Sequence, residues 1–374
     1  MGSNGSDEPR EDYPIARGRS LTLFSEDLLY ALSRCIGCGN CNTFCQVFFL
    51  VDQREKLSPR AWIRTSSMVG LGQVKVSVEY IESLYACTQC SLCRNSCPVG
   101  LDPFALIMSS RKELIDQGYV PPIEVAALPE EVVEGSPLLP GPHWERNKWL
   151  PRDMPRSGRY LFISGAWARS APDSAVASIE LARRRLDLFV ADREPECGLI
   201  LRLAGYLDQY RELTGEMLAL IEDLSPVGVV SGCPARAESL RELGVNALHP
   251  VDLLVEESPS ARRKKPKVAL IPDPLARSTS KAAEELLQSV LGPEFLGSLP
   301  RFSASCGHLI TFRSNPDIVR SLFLTALKEA EYMGASEAVF LNPLAFALAR
   351  EILRGERVRV KISELSQTLL KVLS

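Results

Sequence analysis

The apolar positions of this chain fall into three regimes. From about Leu21 to Gln117 they recur at helical spacing, interrupted by two runs rich in cysteine. Ser25 precedes Glu26 and Asp27 as an N-cap does, and Pro103 opens a last helix carried by Phe104, Ile107, Met108 and Leu114. This pattern predicts a helical module over 21–118, preceded by a polar, aperiodic tail over 1–20. Between Tyr119 and Ser157, prolines at 121, 122, 129, 137, 140, 142, 151 and 155 are too dense for a helix interior or a central strand. Residues 119–157 therefore read as an extended connector, and Trp144 and Trp149 imply that it packs along a surface.

After Gly158 short apolar runs such as Tyr160 to Ser164 and Val227 to Val230 alternate with helical stretches, Ser174 to Leu186 and Leu207 to Leu224. The alternation restarts at Val268 to Ile271, after the basic run Arg262, Arg263, Lys264, Lys265, which reads as a solvated linker. An offset of 109 residues aligns the two halves: Leu161 meets Leu270, Cys197-Gly198 meets Cys306-Gly307, and Cys233-Pro234 meets Asn342-Pro343. The expected fold is α+β and multidomain. The helical module is followed by two α/β lobes, 158–258 and 266–374, related by a pseudo-twofold axis and ending in a packed C-terminal helix around Ile362, Leu365, Leu369 and Leu373.

The composition is that of a globular protein, and 43 Lys plus Arg against 46 Asp plus Glu give no positive field for nucleic acid. The N-terminal residues lack a secretory apolar core and no stretch is long enough to span a bilayer, so the expected location is the cytoplasm. Cysteine is the outlier. Of 11 cysteines, most stand in two tight runs, which points to metal chemistry and away from a disulfide framework.

The first run is Cys35-x2-Cys38-x2-Cys41-x3-Cys45 and the second Cys87-x2-Cys90-x2-Cys93-x3-Cys97-Pro98. Each is the spacing that binds a [4Fe-4S] cluster, in which three cysteines curl around one cubane and the fourth leaves toward the other. On that rule Cys35, Cys38, Cys41 and Cys97 hold one cluster, and Cys87, Cys90, Cys93 and Cys45 hold the second. Zinc sites also use C-x2-C pairs, but zinc gains nothing from the evenly spaced third cysteine and the fourth after three residues. Gly37 and Gly39 let backbone N–H groups turn toward cluster sulfurs. His143 and His249 read as surface or packing residues, and no dinucleotide, P-loop or nucleophile-elbow motif gives the chain a flavin, nucleotide or acyl-transfer site of its own.

The long helical insert between the runs resembles the α-helical ferredoxin arrangement of succinate dehydrogenase iron-sulfur subunits and heterodisulfide reductase small subunits. Over about residues 21 to 354 the chain resembles the CCG-domain iron-sulfur subunits. These include the iron-sulfur subunits of glycolate oxidase and of anaerobic glycerol-3-phosphate dehydrogenase, lactate-utilisation proteins and the catalytic polypeptide of heterodisulfide reductase. In that family each lobe carries Gly-Cys, then Cys-Cys-Gly, then Cys-Pro-x-Cys. This chain departs from the pattern, with Gly165-Ala166, Glu196-Cys197-Gly198 and Cys233-Pro234-Ala235-Arg236 in the first lobe. The second has Asp273-Pro274-Leu275, Ser305-Cys306-Gly307 and Asn342-Pro343-Leu344-Ala345. Cys197, Cys233, Cys306 and His308 are enough ligands for a third cluster, and equally read as ordinary buried residues.

The resemblance implies an electron-transfer subunit with no catalytic residue of its own. It would take single electrons from a flavoprotein dehydrogenase acting on a 2-hydroxy acid or glycerol 3-phosphate and pass them toward a quinone or another membrane acceptor. With no membrane span, any membrane link runs through a partner subunit or a surface-lying helix. The alternatives are a thiol-disulfide reductase of the heterodisulfide type, working at the lobe interface, and a scaffold that docks the cluster module to partner subunits.

Overall fold

The computed structural model describes residues 23–254 and 265–373. The N-terminal tail, the basic residues Arg262, Arg263 and Lys264, and the last residues assigned to the first lobe lie outside them. The N-terminal module is helical, with principal helices Glu26–Ser33, Pro59–Gly70, Val78–Tyr85 and Pro103–Asp116. Capping side chains fix the last three starts: Ser58 accepts from Ala61 N–H, Ser77 from Tyr80 N–H and Asp102 from Ala105 N–H. Ser25 stands at the predicted N-cap, but its hydroxyl donates to Glu113 Oε1 at 2.7 Å and leaves the helix end uncapped by a side chain.

The proline-rich stretch is not uniformly extended. It holds the short helices Ile123–Ala126, Leu128–Val133 and Arg146–Trp149, because Pro122 precedes a first turn and Pro129 lies within one, where no N–H is required. Val125, Leu128, Val132 and Trp149 are buried, whereas Trp144 stays exposed. Glu131 of this stretch takes both arms of the Arg313 guanidinium, at 2.9 and 2.6 Å.

Two four-stranded parallel sheets follow. The first has β1 Tyr160–Ile163, β2 Leu188–Phe189, β3 Gly228–Ser231 and β4 Ala247–Leu248 in the order β2-β1-β3-β4. The second has β5 Val268–Ile271, β6 Phe295–Ser298, β7 Glu337–Phe340 and β8 Lys361–Glu364 in the order β6-β5-β7-β8. The helices between the strands repeat as well: Pro172–Arg183, Leu199–Ala204, Leu207–Leu224 and Pro234–Glu242 are answered by Arg277–Leu291, Gly307–Ser314, Pro316–Tyr332 and Pro343–Ile352. Strands such as Val268–Ile271 are buried throughout because helices cover both faces of a parallel sheet.

Ile362 belongs to β8, so the terminal helix begins only at Leu365 and runs Leu365–Leu373. Its apolar face, Leu365, Leu369 and Val372, is buried. The helix packs on Pro172–Arg183 of the first sheet unit, joined by Ser178 Oγ to Ser366 Oγ at 2.9 Å and by Gln367 Nε2 donating to Ser174 Oγ at 3.0 Å. No helix among the described residues is long and apolar enough to cross a membrane.

Candidate iron–sulfur site

The two cysteine runs take the same path. In the first, Gly37 and Gly39 adopt φ of +70° and +80°; in the second, the matching positions Gln89 and Ser91 adopt +60° and +51°. Glycine accepts that region without strain, whereas Gln89 and Ser91 must be held there by their surroundings. Each run then enters a 3-10 turn, Asn40–Phe44 or Leu92–Ser96, and leaves it through an extended cysteine, Cys45 or Cys97. That exit carries the fourth thiol of each run away from its own loop.

One cavity is lined by Cys35, Cys38, Cys41 and Cys97, and another by Cys45, Cys87, Cys90 and Cys93. Each thus gathers three thiols of one run and the fourth of the other. Among the described residues no three Cys, His, Asp or Glu side chains meet closely enough for a single metal ion. Four thiols to each cavity is a donor set that iron–sulfur clusters take, as four-cysteine zinc sites also do.

Burial and neighbouring thiolates push Cys41 up to about 11, and burial pushes Cys90 up to about 11 and Cys45, Cys87 and Cys93 upward as well. Thiols this costly to ionise become ligands when bound iron compensates the thiolate charge, so assembly releases protons. Backbone donors are already in place, such as Phe48 N–H on Cys45 Sγ at 3.5 Å.

Residues 31–101 match the 4Fe-4S dicluster domain. The chain therefore carries a ferredoxin-type iron–sulfur domain. No curated protein matches the chain.

The two halves of the dicluster domain differ in exposure. Around the first cavity Cys38 is exposed and Cys35 and Cys97 are half-buried, whereas Cys45, Cys87, Cys90 and Cys93 are all buried. The covering comes from the sheet units. Gln46 Nε2 donates to Ser303 O at 3.0 Å, Thr311 Oγ1 to Cys87 O at 2.8 Å and Ser314 Oγ to Tyr85 O at 3.1 Å. Gln89, wholly buried, lies so close over Gly307 that a Cβ there would stand 2.5 Å from its Oε1. Arg111, also wholly buried, donates to Leu203 O at 2.8 Å, Leu84 O at 2.6 Å and Cys87 O at 3.3 Å. Sequence reading passed over Arg111, although its place on the apolar stripe of Ile107 and Leu114 was a usable signal.

Burial pushes the Cys233 and Cys306 thiols up, and the nearby Cys197 and Asp273 add to the effect on both, as Cys233 does on Cys306. Asp273 is itself buried, receives Asn342 Nδ2 at 2.7 Å and is pushed up to about 7 by desolvation. The Nδ1 of His308 accepts from Ser305 N–H at 3.2 Å, and its ring stacks on Phe323 with centroids 5.8 Å apart. Its Nε2 is buried with no hydrogen-bond partner, and burial lowers the ring to about 4. His249 is buried as well, capping the turn Pro250–Leu253, and His143 is exposed.

In the first sheet unit an ion pair fills the ends of the strands. Arg236 Nη1 meets Glu194 Oε1 at 3.2 Å, and the same carboxylate accepts from Ser164 N–H, Ser164 Oγ and Gly165 N–H at 2.8 to 3.1 Å. The space beside Gly165 is taken by the guanidinium, which a Cβ would approach to 3.1 Å.

Proposed function

We propose that the chain is an electron-transfer subunit whose two [4Fe-4S] clusters relay single electrons between a flavoprotein dehydrogenase and a quinone or another membrane acceptor. Cys35, Cys38, Cys41 and Cys97 would hold the first cluster, and Cys45, Cys87, Cys90 and Cys93 the second. The observation that carries this reading is the pair of four-cysteine cavities, each drawing its fourth thiol from the opposite run. Bound clusters supply reversible one-electron chemistry. The protein supplies the rest: it draws one thiol of each set from the other run, which ties the two cavities together, and it buries the four thiols of the second.

The first cavity is the side for the protein partner. Ile36, between two of its cysteines and on the lining of the cavity, is 65% exposed. Exposed apolar residues at a redox centre favour contact with another protein surface. The resemblance to CCG-domain subunits supports a dehydrogenase acting on a 2-hydroxy acid or glycerol 3-phosphate, at the cytoplasmic face of a membrane. The repeated element order of the sheet units supports pseudo-twofold lobes that serve docking.

The test is anaerobic iron and acid-labile sulfide quantitation with EPR. We expect about eight irons per chain. Cys97→Ser should disturb the cluster of Cys35, Cys38 and Cys41, although it lies in the other run, and Cys197→Ser and Cys306→Ser should change nothing. The convergence of Cys197, Cys233 and Cys306 favours a second reading, a heterodisulfide-type reductase with a third cluster. About twelve irons, with four lost on Cys306→Ser, would replace the relay by that reading.

A further inference from the structure

A groove of about 530 Å³ opens between the dicluster domain and both sheet units. Its size suits a small organic ligand. One wall is the face Ala105, Met108, Ser109 and Lys112 of the helix Pro103–Asp116, residues spaced to lie on one side. Leu199, Leu203 and Leu207 of the first sheet unit stand opposite, and Leu275 and Arg277 of the second close one end.

Ser91 and Phe104 line both this groove and the cavity of Cys45, Cys87, Cys90 and Cys93. Groove and cavity are therefore back to back, one side chain apart. Four cations line the rim: Arg94 is paired with Asp102 at 2.9 Å and Lys112 with Asp116, while Arg202 and Arg277 stand beside the carboxylates Glu238 and Glu242. Arg202 is held only loosely, 3.9 Å from Glu242. Such a groove offers apolar walls to a flat ring and cationic donors to oxygens that gain negative charge on reduction. Among the described residues no glycine-rich turn for a dinucleotide follows a strand.

We propose that this groove binds the ring of a quinone, beside the second cluster cavity. The inference rests on the relay reading and gives it a terminal acceptor. A quinone bound there becomes quinol by taking two electrons from the relay and two protons from the water that the open groove admits.

The experiment is anaerobic equilibrium dialysis of the oxidised full chain against menadione, with EPR of the protein under excess dithionite, which reduces the clusters and turns bound menadione into menadiol. Saturable binding is expected, with a change in the EPR signal of the second cluster and none in the first. Ser109→Trp, which fills the groove from its wall, and Arg277→Glu, which reverses a rim charge, should each weaken binding at least tenfold at unchanged iron content. Absence of saturable binding, or equal binding by both variants, overturns the groove assignment and leaves the relay standing. A wild-type chain that lacks two clusters overturns the relay, whatever it binds.

Discussion

The guanidinium of Arg111 donates to the carbonyl oxygen of Cys87 while lying over the Tyr85 ring, 4.4 Å from its centroid. A full positive charge is thereby buried beside the second cavity, with three backbone carbonyls as its counterpart. Arg111→Met leaves those carbonyls without donors and should destabilise the chain by about 3 kcal/mol. It should also make the second cluster harder to reduce, since a nearby cation favours added negative charge. Thermal denaturation and a redox titration followed by EPR read the two effects, and an unchanged midpoint potential would remove Arg111 from the electrostatics of the site.

The Arg236–Glu194 pair is nearly as deeply buried, with side chains 4% and 9% exposed. Removing one partner strands the other. Arg236→Ala should cost about 3 kcal/mol or more, and Arg236→Met about as much, because Glu194 then keeps its bonds from Ser164 and Gly165 but, among the described cations, only Arg146 at 3.7 Å. Chemical denaturation checks this. A loss below about 1 kcal/mol would mean that the strand ends do not depend on the pair.

Glu364 gives the pH dependence a sign. Burial pushes its carboxyl up to about 8, against an ordinary value of 4.5, even though Ser366 N–H donates to it at 3.0 Å. The folded chain therefore binds more protons than the unfolded one between those values, and its contribution to stability is complete below about 4.5 and declines as pH rises toward 8. Glu364→Gln should flatten the decline, measured as denaturation midpoints across that range. A parallel pair of curves would exclude Glu364 as its source.

Exposure separates the two cavities in a fourth experiment. Cys38 is open to solvent while Cys45, Cys87, Cys90 and Cys93 are buried. Under air or an iron chelator, the cluster of the first cavity should be lost first, giving two phases in a time course of absorbance and iron release. Loss of both at one rate would show that opening of the whole module controls access.

The sequence showed its chemistry better than its edges. Cysteine spacing is imposed by the geometry of the group it wraps, so both runs could be read without a neighbour. Val268–Ile271 was legible because a strand covered on both faces must be apolar throughout. β2 and β4, two residues each, carry no period to detect, and β6 is half-exposed along its whole length and contains Gly297. Ile362 fitted the helical stripe of the terminal helix by spacing alone, yet pairing with Ala338 of β7 places it in a strand. Arg111 was passed over, and Arg236 and Asp273 were read only as departures from the cysteine pattern, because charged residues are ordinarily solvated. Their burial depends on partners far away in the sequence, such as Leu203, Glu194 and Asn342.

The bonds that Ser303 and Thr311 make to Gln46 and Cys87 tie the beginning of the chain to its last quarter. A ribosome has finished the second cysteine run long before it reaches those residues. During synthesis the second cavity is thus an unroofed basin, open to whatever delivers iron and sulfide, and it is roofed over only when residues 303–314 arrive. The second site is thus enclosed by contacts that the chain supplies last, whereas the first, with Cys38 at the surface, stays open to solvent after folding is complete.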